Sequence, residues 1–391
     1  MRVKKTVIIS SILLLMLLFC STAAPAAAPG AELKIESSAA ILLEPASGEV
    51  LFRKNENQPL PPASVTKLMV MLLAMEAVDQ CRIKLTDVVS ASPEACKMGG
   101  SQIWLEPGEQ MTVADLLKAV CIVSANDASY ALAEHIAGSE EGFVELMNKR
   151  AKELGLTNTH YVNTSGLEPA PGESGNVTSA SDMAYLAREV IKHPLVFKWT
   201  GVWIDSLRGG KSYLRNTNNL VRFYRGCDGL KTGFTNQAGF CLVATAKREG
   251  VRLIAVTMKA PTSTARSADI SKLFNYGFSK YKSHQIFLGG EKLGAVKVFR
   301  GAQDTVSAIV PKELTAVLKR DYTGTISKKV ELLPYVSAPV NPGQKLGKVT
   351  LSAQGKVCGG CDLVAGNAVK RASFFQIWRQ ICRKIIESNI N

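Results

Sequence analysis

Three short motifs occur in order along the chain: Ser64-Val65-Thr66-Lys67, Ser124-Ala125-Asn126 and Lys231-Thr232-Gly233. Acyl transfer from a peptide-like substrate needs an activated hydroxyl, a group to take its proton, and donors for the oxyanion that forms. The three motifs together spell a serine acyl-transfer site whose general base is a lysine. Each alone is weak. Ser-x-x-Lys recurs at Ser279 and Lys282, and Ser-x-Asn recurs at Ser174-Gly175-Asn176, so the surrounding elements must separate working copies from decoys.

Ser64 follows Pro61-Pro62-Ala63 and opens the run from Lys67 to Met75, which is apolar nearly all round and reads as a buried helix. The proline pair marks the start of that helix. At i and i+3 on one face, Ser64 and Lys67 have Cβ atoms about 5–6 Å apart, so the amine reaches the hydroxyl. Ser279-Lys280-Tyr281-Lys282 lies in a polar, basic stretch and reads as surface.

Ser124-Ala125-Asn126 interrupts two apolar helical stretches, Val113 to Val123 and Ala128 to Ala133, a junction where polar groups line a cleft. Ser174-Gly175-Asn176 sits among Pro169, Pro171, Gly172 and Glu173 and reads as a solvated turn. Lys231-Thr232-Gly233 precedes two strand-like runs, Gly239 to Ala246 and Val251 to Met258, joined by the turn Arg248-Glu249-Gly250. The motif is therefore expected on or beside an inner strand of a sheet, where backbone N–H groups and a cation face a cleft.

With these elements in place, the chain resembles a low-molecular-weight penicillin-binding protein of the D-alanyl-D-alanine carboxypeptidase family, related to the serine β-lactamases. Further stretches that carry the resemblance are Ile41 to Gly48, Pro62 to Met69, Glu106 to Glu109, Thr178 to Ala184 and Asp228 to Gly233. It implies an α/β (α+β) β-lactamase-like domain with an antiparallel sheet and a helical lobe, then a small all-β domain and a C-terminal amphipathic helix. Residues 1–28 would be a signal peptide, 32–282 the carboxypeptidase domain, 283–366 the β-rich domain and 367–391 a membrane-anchoring helix.

The resemblance also implies roles. Ser64 attacks the carbonyl of the penultimate D-Ala, Lys67 takes its proton, and Ser124 relays that proton to the leaving amine. Asn126 orients Lys67 and the substrate amide, while Lys231 and Thr232 bind the terminal carboxylate. Gly233 completes that motif, and the backbone N–H groups of Ser64 and Phe234 face the oxyanion. Partners are peptidoglycan stem peptides, with β-lactam antibiotics as covalent inhibitors. In some members an arginine ahead of Lys-Thr-Gly grips the carboxylate, whereas Thr217 stands at that place here, with Arg215 and Arg222 nearby. Glu168 is the candidate for the deacylating base that a β-lactamase would need. The same motifs would also serve a D,D-endopeptidase or a non-catalytic penicillin sensor.

Composition agrees. The 391 residues suffice for two domains, and 46% hydrophobic with 20% charged residues are globular values. A formal net charge of +14 raises nucleic acid as a partner, but the basic residues are scattered and no aromatic-rich reader motif occurs. Arg2, Lys4 and Lys5 ahead of the apolar run Val7 to Phe19, with small residues from Ala23 to Ala28, form an export signal for which a cut after Ala26 fits best. No Walker, dinucleotide or His-Glu-x-x-His motif is present, so neither cofactor nor metal is expected. His135, His160, His193 and His284 lack a Gly-x-Ser-x-Gly elbow and read as surface or packing residues.

Beyond Lys282 the texture changes to short strand-like runs at 285–290, 293–299 and 347–351, an all-β module serving as spacer or docking surface. Cys358-Gly359-Gly360-Cys361 reads as a hairpin turn whose thiols bridge locally. From Ala368 to Ile390, Phe374, Phe375, Trp378, Ile381, Cys382, Ile385 and Ile386 repeat at helical spacing beside Arg371, Arg379, Arg383 and Lys384. That pattern is too charged to span a bilayer and fits a helix lying in an anionic membrane surface, on the outer face of the cytoplasmic membrane.

Overall fold

A computed structural model describes residues 33–170, 172–374 and 376–378. Its central sheet uses β1 (Ala39–Glu44), β2 (Glu49–Lys54), β3 (Cys227–Thr235), β4 (Gly239–Arg248) and β5 (Val251–Ala260). All pairings are antiparallel, in the order β2-β1-β5-β4-β3. The β4–β5 hairpin turns at Glu249 (φ 47°) and Gly250 (φ 80°), both left-handed, as a two-residue turn between twisted strands requires. Unbroken buried runs in β4 and β5 follow from cover on both faces.

Helices α1 (Lys67–Asp79), α2 (Val113–Ile122), α3 (Asn126–Ala137), α4 (Ala180–Val190) and α5 (Ser263–Lys280) supply that cover and the helical lobe. α4 and α5 pack on the sheet, while α1 runs through the middle of the lobe against α2, α3 and α4. Every residue from Lys67 to Met75 is buried. Each large apolar side chain so buried contributes about 1.5–3 kcal/mol, which makes α1 the anchor of the lobe. Side-chain caps start α2 at Thr112, α4 at Ser179 and α5 at Thr262.

The chain then forms a second body with its own core, including Val296, Val306, Leu346, Val349 and Leu363. Its larger sheet orders Ile326–Leu332, Lys345–Ala353, Lys356–Ala365, Thr305–Ile309, Lys292–Phe299 and Tyr335–Ser337, and Tyr281–Phe287 pairs with Leu314–Lys319. Strands occupy the marked runs 293–299 and 347–351, while in 285–290 the strand ends at Phe287 and a turn follows. Two local expectations differ. The hairpin turn is Gln354-Gly355 (φ 51° and 75°), so Cys358 and Cys361 lie within the following strand, and both thiols are free. Residues 368–372 are not helical, because Val369 bridges Val340 and Arg371 bridges Gly301, completing the β body. Helix is described at Phe374 and 376–378, and the rest of the amphipathic pattern, like the export signal, lies outside the described residues.

Candidate active site

Ser64 does not sit on the long helix itself. A 3₁₀ turn, Ala63–Thr66, carries it, and α1 begins at Lys67. The turn is entered through Ala63 at φ 49°, a left-handed conformation. The spacing still does what it was expected to do, since Lys67 Nζ lies 3.1 Å from Ser64 Oγ. The second partner of the amine is the Ser165 carbonyl at 2.7 Å. Burial drives the Lys67 amine well below its usual range, the Lys231 charge pushes the same way, and Asp127 opposes both.

Ser124 lies in the break between α2 and α3, in the left-handed region at φ 67°, and Asn126 opens α3, so the junction falls where expected. Both are buried, and neither Ser124 Oγ nor Asn126 Oδ1 has a hydrogen-bond partner among the described residues. Asn126 Nδ2 donates to the Gly99 carbonyl at 2.6 Å, and since its Oδ1 accepts from nothing, it is Ser165, and not Asn126, that holds Lys67. The neighbouring Asp127 carboxylate is buried and accepts from the backbone N–H groups of Ile103, Leu105 and Ala128.

Lys231, Thr232 and Gly233 lie on β3, the edge strand of the sheet, beside the inner strand β4 as the sequence reading allowed. An edge strand keeps backbone groups that a substrate can pair with, which an inner strand does not. Gly233 packs so closely on the serine turn that a Cβ there would stand 2.9 Å from the Pro62 carbonyl and 3.1 Å from the Ser64 nitrogen. Phe234 follows, half exposed and stacked on Phe240 with ring centroids 4.3 Å apart. Burial pushes the Lys231 amine down to about 7, with Cys121 opposing and the Arg266 charge adding to the fall. Burial also lifts the Cys121 thiol to about 12, so it stays neutral and its opposition is weak.

Several participants were not legible in the sequence. The Thr232 hydroxyl donates to Thr217 Oγ1 at 2.7 Å. Arg215 stacks on Trp203 at 5.1 Å and Arg222 lies 5.9 Å from the Phe223 ring. Asn176, read as part of a solvated turn, is buried: its Nδ2 donates to Thr66 Oγ1 and to the Asn163 carbonyl, both at 3.0 Å. It ties the serine turn to the loop that carries Ser165. The dense small-polar run Asn163-Thr164-Ser165-Gly166 was the available signal. Ser279 is exposed at the end of α5, as its polar context indicated. Glu168 is exposed too, yet its carboxylate accepts from the Gln237 N–H at 2.7 Å, a bond that holds it below the usual carboxylate range.

A hydroxyl beside a desolvated amine, on a turn packed against a sheet edge, is equipment for serine acyl transfer. Comparison with known proteins agrees. Residues 23–262 match the family described as D-alanyl-D-alanine carboxypeptidase, and 281–371 match penicillin-binding protein 5, C-terminal domain. The chain is 43% identical over 347 residues to D-alanyl-D-alanine carboxypeptidase DacF of Bacillus subtilis (strain 168), covering 88% of each. Penicillin binding protein 5 from Haemophilus influenzae superposes with a TM-score of 0.66 at 31% identity, over 88% of this chain and 100% of that one. Penicillin-Binding Protein D2 from Listeria monocytogenes, in its ampicillin-bound form, gives 0.58 at 32% identity over 63% and 100%. The chain belongs to the D-alanyl-D-alanine carboxypeptidase family, with the penicillin-binding/β-lactamase-like fold followed by a C-terminal all-β domain.

Proposed function

We propose that this chain removes the terminal D-Ala from peptidoglycan pentapeptide stems through an acyl-enzyme on Ser64, in cell-wall remodelling. The observation that carries the reading is the Ser64 hydroxyl 3.1 Å from a fully buried lysine amine, in a member of this carboxypeptidase family. Neutral Lys67 accepts the Ser64 proton as Oγ attacks the penultimate D-Ala carbonyl. The oxyanion is met by the N–H groups of Ser64 and Phe234. Ser124 passes the proton to the leaving nitrogen, the C–N bond breaks and free D-Ala departs. Water then cleaves the ester and restores Ser64.

The unpaired Ser124 hydroxyl and Asn126 carbonyl oxygen support this assignment, since buried polar groups without partners are rare unless a ligand completes them. Lys231 and Thr232, with Thr217 behind, take the terminal carboxylate. A β-lactam, which also presents an acyl carbonyl and a carboxylate, acylates the same serine. Glu168 is an unsuitable deacylating base because it is bound to the β3–β4 turn. Incubation with a pentapeptide ending in D-Ala-D-Ala tests the reading: stoichiometric free D-Ala with little β-lactam turnover supports it, and β-lactam turnover without D-Ala overturns it.

The same reading makes residues 1–28 an export signal, 32–282 the catalytic domain and 283–366 the β domain, which Val369 and Arg371 extend by a few residues. No helix among the described residues is long and apolar enough to cross a membrane. Attachment to an anionic membrane surface then falls to the C-terminal segment, where Phe374 and Trp378 are exposed. A chain ending at Ala372 should stay folded and active on small peptides yet fail to sediment with anionic vesicles, whereas the full chain sediments. Equal sedimentation of both would refute the anchor.

A further inference from the structure

The loop leading to the strand Gln110–Thr112 carries a residue that the chemistry above leaves unused. Trp104 has φ 60°, a conformation that bulky side chains rarely adopt, and its side chain is 75% exposed. A free loop would relax such a residue. Here the backbone on both sides is tied. The buried Asp127 carboxylate accepts from the N–H of Ile103 and of Leu105, each at 3.1 Å. Arg208 donates to the Ile103 carbonyl at 3.0 Å and to the Trp104 carbonyl at 3.4 Å, and a two-point pair with Glu109 at 2.7 and 2.9 Å fixes the arginine itself. The indole is therefore presented to solvent by a clamp that over-determines its backbone.

The loop is also fastened to the active site. Asn126 donates from its backbone N–H to the Ser101 carbonyl at 2.7 Å and from its side chain to the Gly99 carbonyl at 2.6 Å. Three residues of chain put the Trp104 Cα within roughly 11 Å of the Ser101 Cα. Arg208 carries a second aromatic into the neighbourhood, since its Nη1 donates to the Ser212 hydroxyl at 3.1 Å, beside Tyr213, which is 83% exposed.

We propose that Trp104 is a substrate-contacting residue that stacks on the carbohydrate strand to which the stem peptide is attached. The inference rests on reading the cleft as a stem-peptide site. With the terminal carboxylate on Lys231 and Thr232 and the reacting carbonyl at Ser64, the other end of the stem leaves the cleft, and the saccharide is the next chemistry at its rim. A flat apolar ring whose backbone is already immobile loses little entropy when the C–H face of a sugar covers it. Strain retained at an exposed aromatic is what a rigid platform for such a ligand needs.

The test is equilibrium binding of peptide-free wall glycan strands to the full chain. Trp104→Ala is expected to weaken binding about tenfold while Trp104→Phe keeps most of it. Trp104→Asn, whose side chain suits a left-handed backbone, should melt no lower than the parent and lose binding equally, which separates lost contact from lost fold. No strand binding by the parent chain, equal binding by Trp104→Ala, or a response to free stem peptide alone would each overturn the assignment. Release of D-Ala and penicillin labelling of Ser64 report separately on the cleft, so failure of that reading is distinguishable.

Discussion

Lys67 donates a 2.7 Å hydrogen bond to the carbonyl of Ser165, ninety-eight residues further along the chain. A neutral amine keeps two N–H donors and gains one lone pair. Lys67 can therefore lose its proton and still hold Ser165, leaving the lone pair for the Ser64 hydroxyl 3.1 Å away. The carbonyl fixes the base in both protonation states, which is what a group that takes and returns a proton requires.

Replacement of the nucleophile gives the plainest outcome. Ser64→Ala should abolish covalent labelling by penicillin and lower D-Ala release by roughly 10³-fold or more. Ser279→Ala, in the decoy motif, should leave both unchanged. Labelling that persisted in Ser64→Ala would move the nucleophile elsewhere.

The two lysines should respond differently to arginine. Lys67→Arg keeps a charge but supplies no neutral base, since guanidinium stays protonated, so acylation should fail in a folded protein. Lys231→Arg keeps a cation for the carboxylate and should act chiefly on KM, by roughly tenfold, the equivalent of about 1.4 kcal/mol of binding. Equal loss of acylation in both would remove the division between base and anchor.

Lys231 gives a pH dependence with a definite sign. Its amine, lowered to about 7, must be charged to hold a carboxylate, so raising the pH through neutrality empties the free enzyme of the binding form. KM for the pentapeptide should rise above about pH 7, and because a bound carboxylate favours the ammonium, kcat should persist to higher pH. Lys67 acts in the opposite sense, since its depressed affinity for protons keeps the base available as the pH falls. Initial rates across neutrality check this, and a KM that does not change with pH would contradict it.

Gly166 shows how tightly the loop is set. At φ 76° it lies against the serine turn, where a Cβ would run into the Ala63 carbonyl and stand 2.8 Å from the Thr66 hydroxyl. Gly166→Ala should cost roughly 1–3 kcal/mol of stability, seen as a lower Tm. Acylation should fall further than stability alone explains, because the displaced loop takes the Ser165 carbonyl from Lys67. Parent-like Tm and acylation would refute the close fit.

Local relations were readable from sequence because local geometry decides them. A serine and a lysine three apart at the entry to a helix are within reach of each other whatever the rest of the chain does. The all-round apolar run of α1, the break at Ser124 and the β4–β5 hairpin likewise follow from periodicity and turn chemistry. Contacts between distant segments do not. Sequence left open whether Lys231 lay on an inner strand or beside one, marked Asn176 as a surface turn and began a helix at Ala368. Packing put Lys231 on the sheet edge, buried Asn176 against Thr66, joined Thr217 to Thr232 and extended the β body through Arg371. Which loops meet is set by the burial of side chains far apart in the chain, and each of these residues acquired its role only when its partner arrived from another segment.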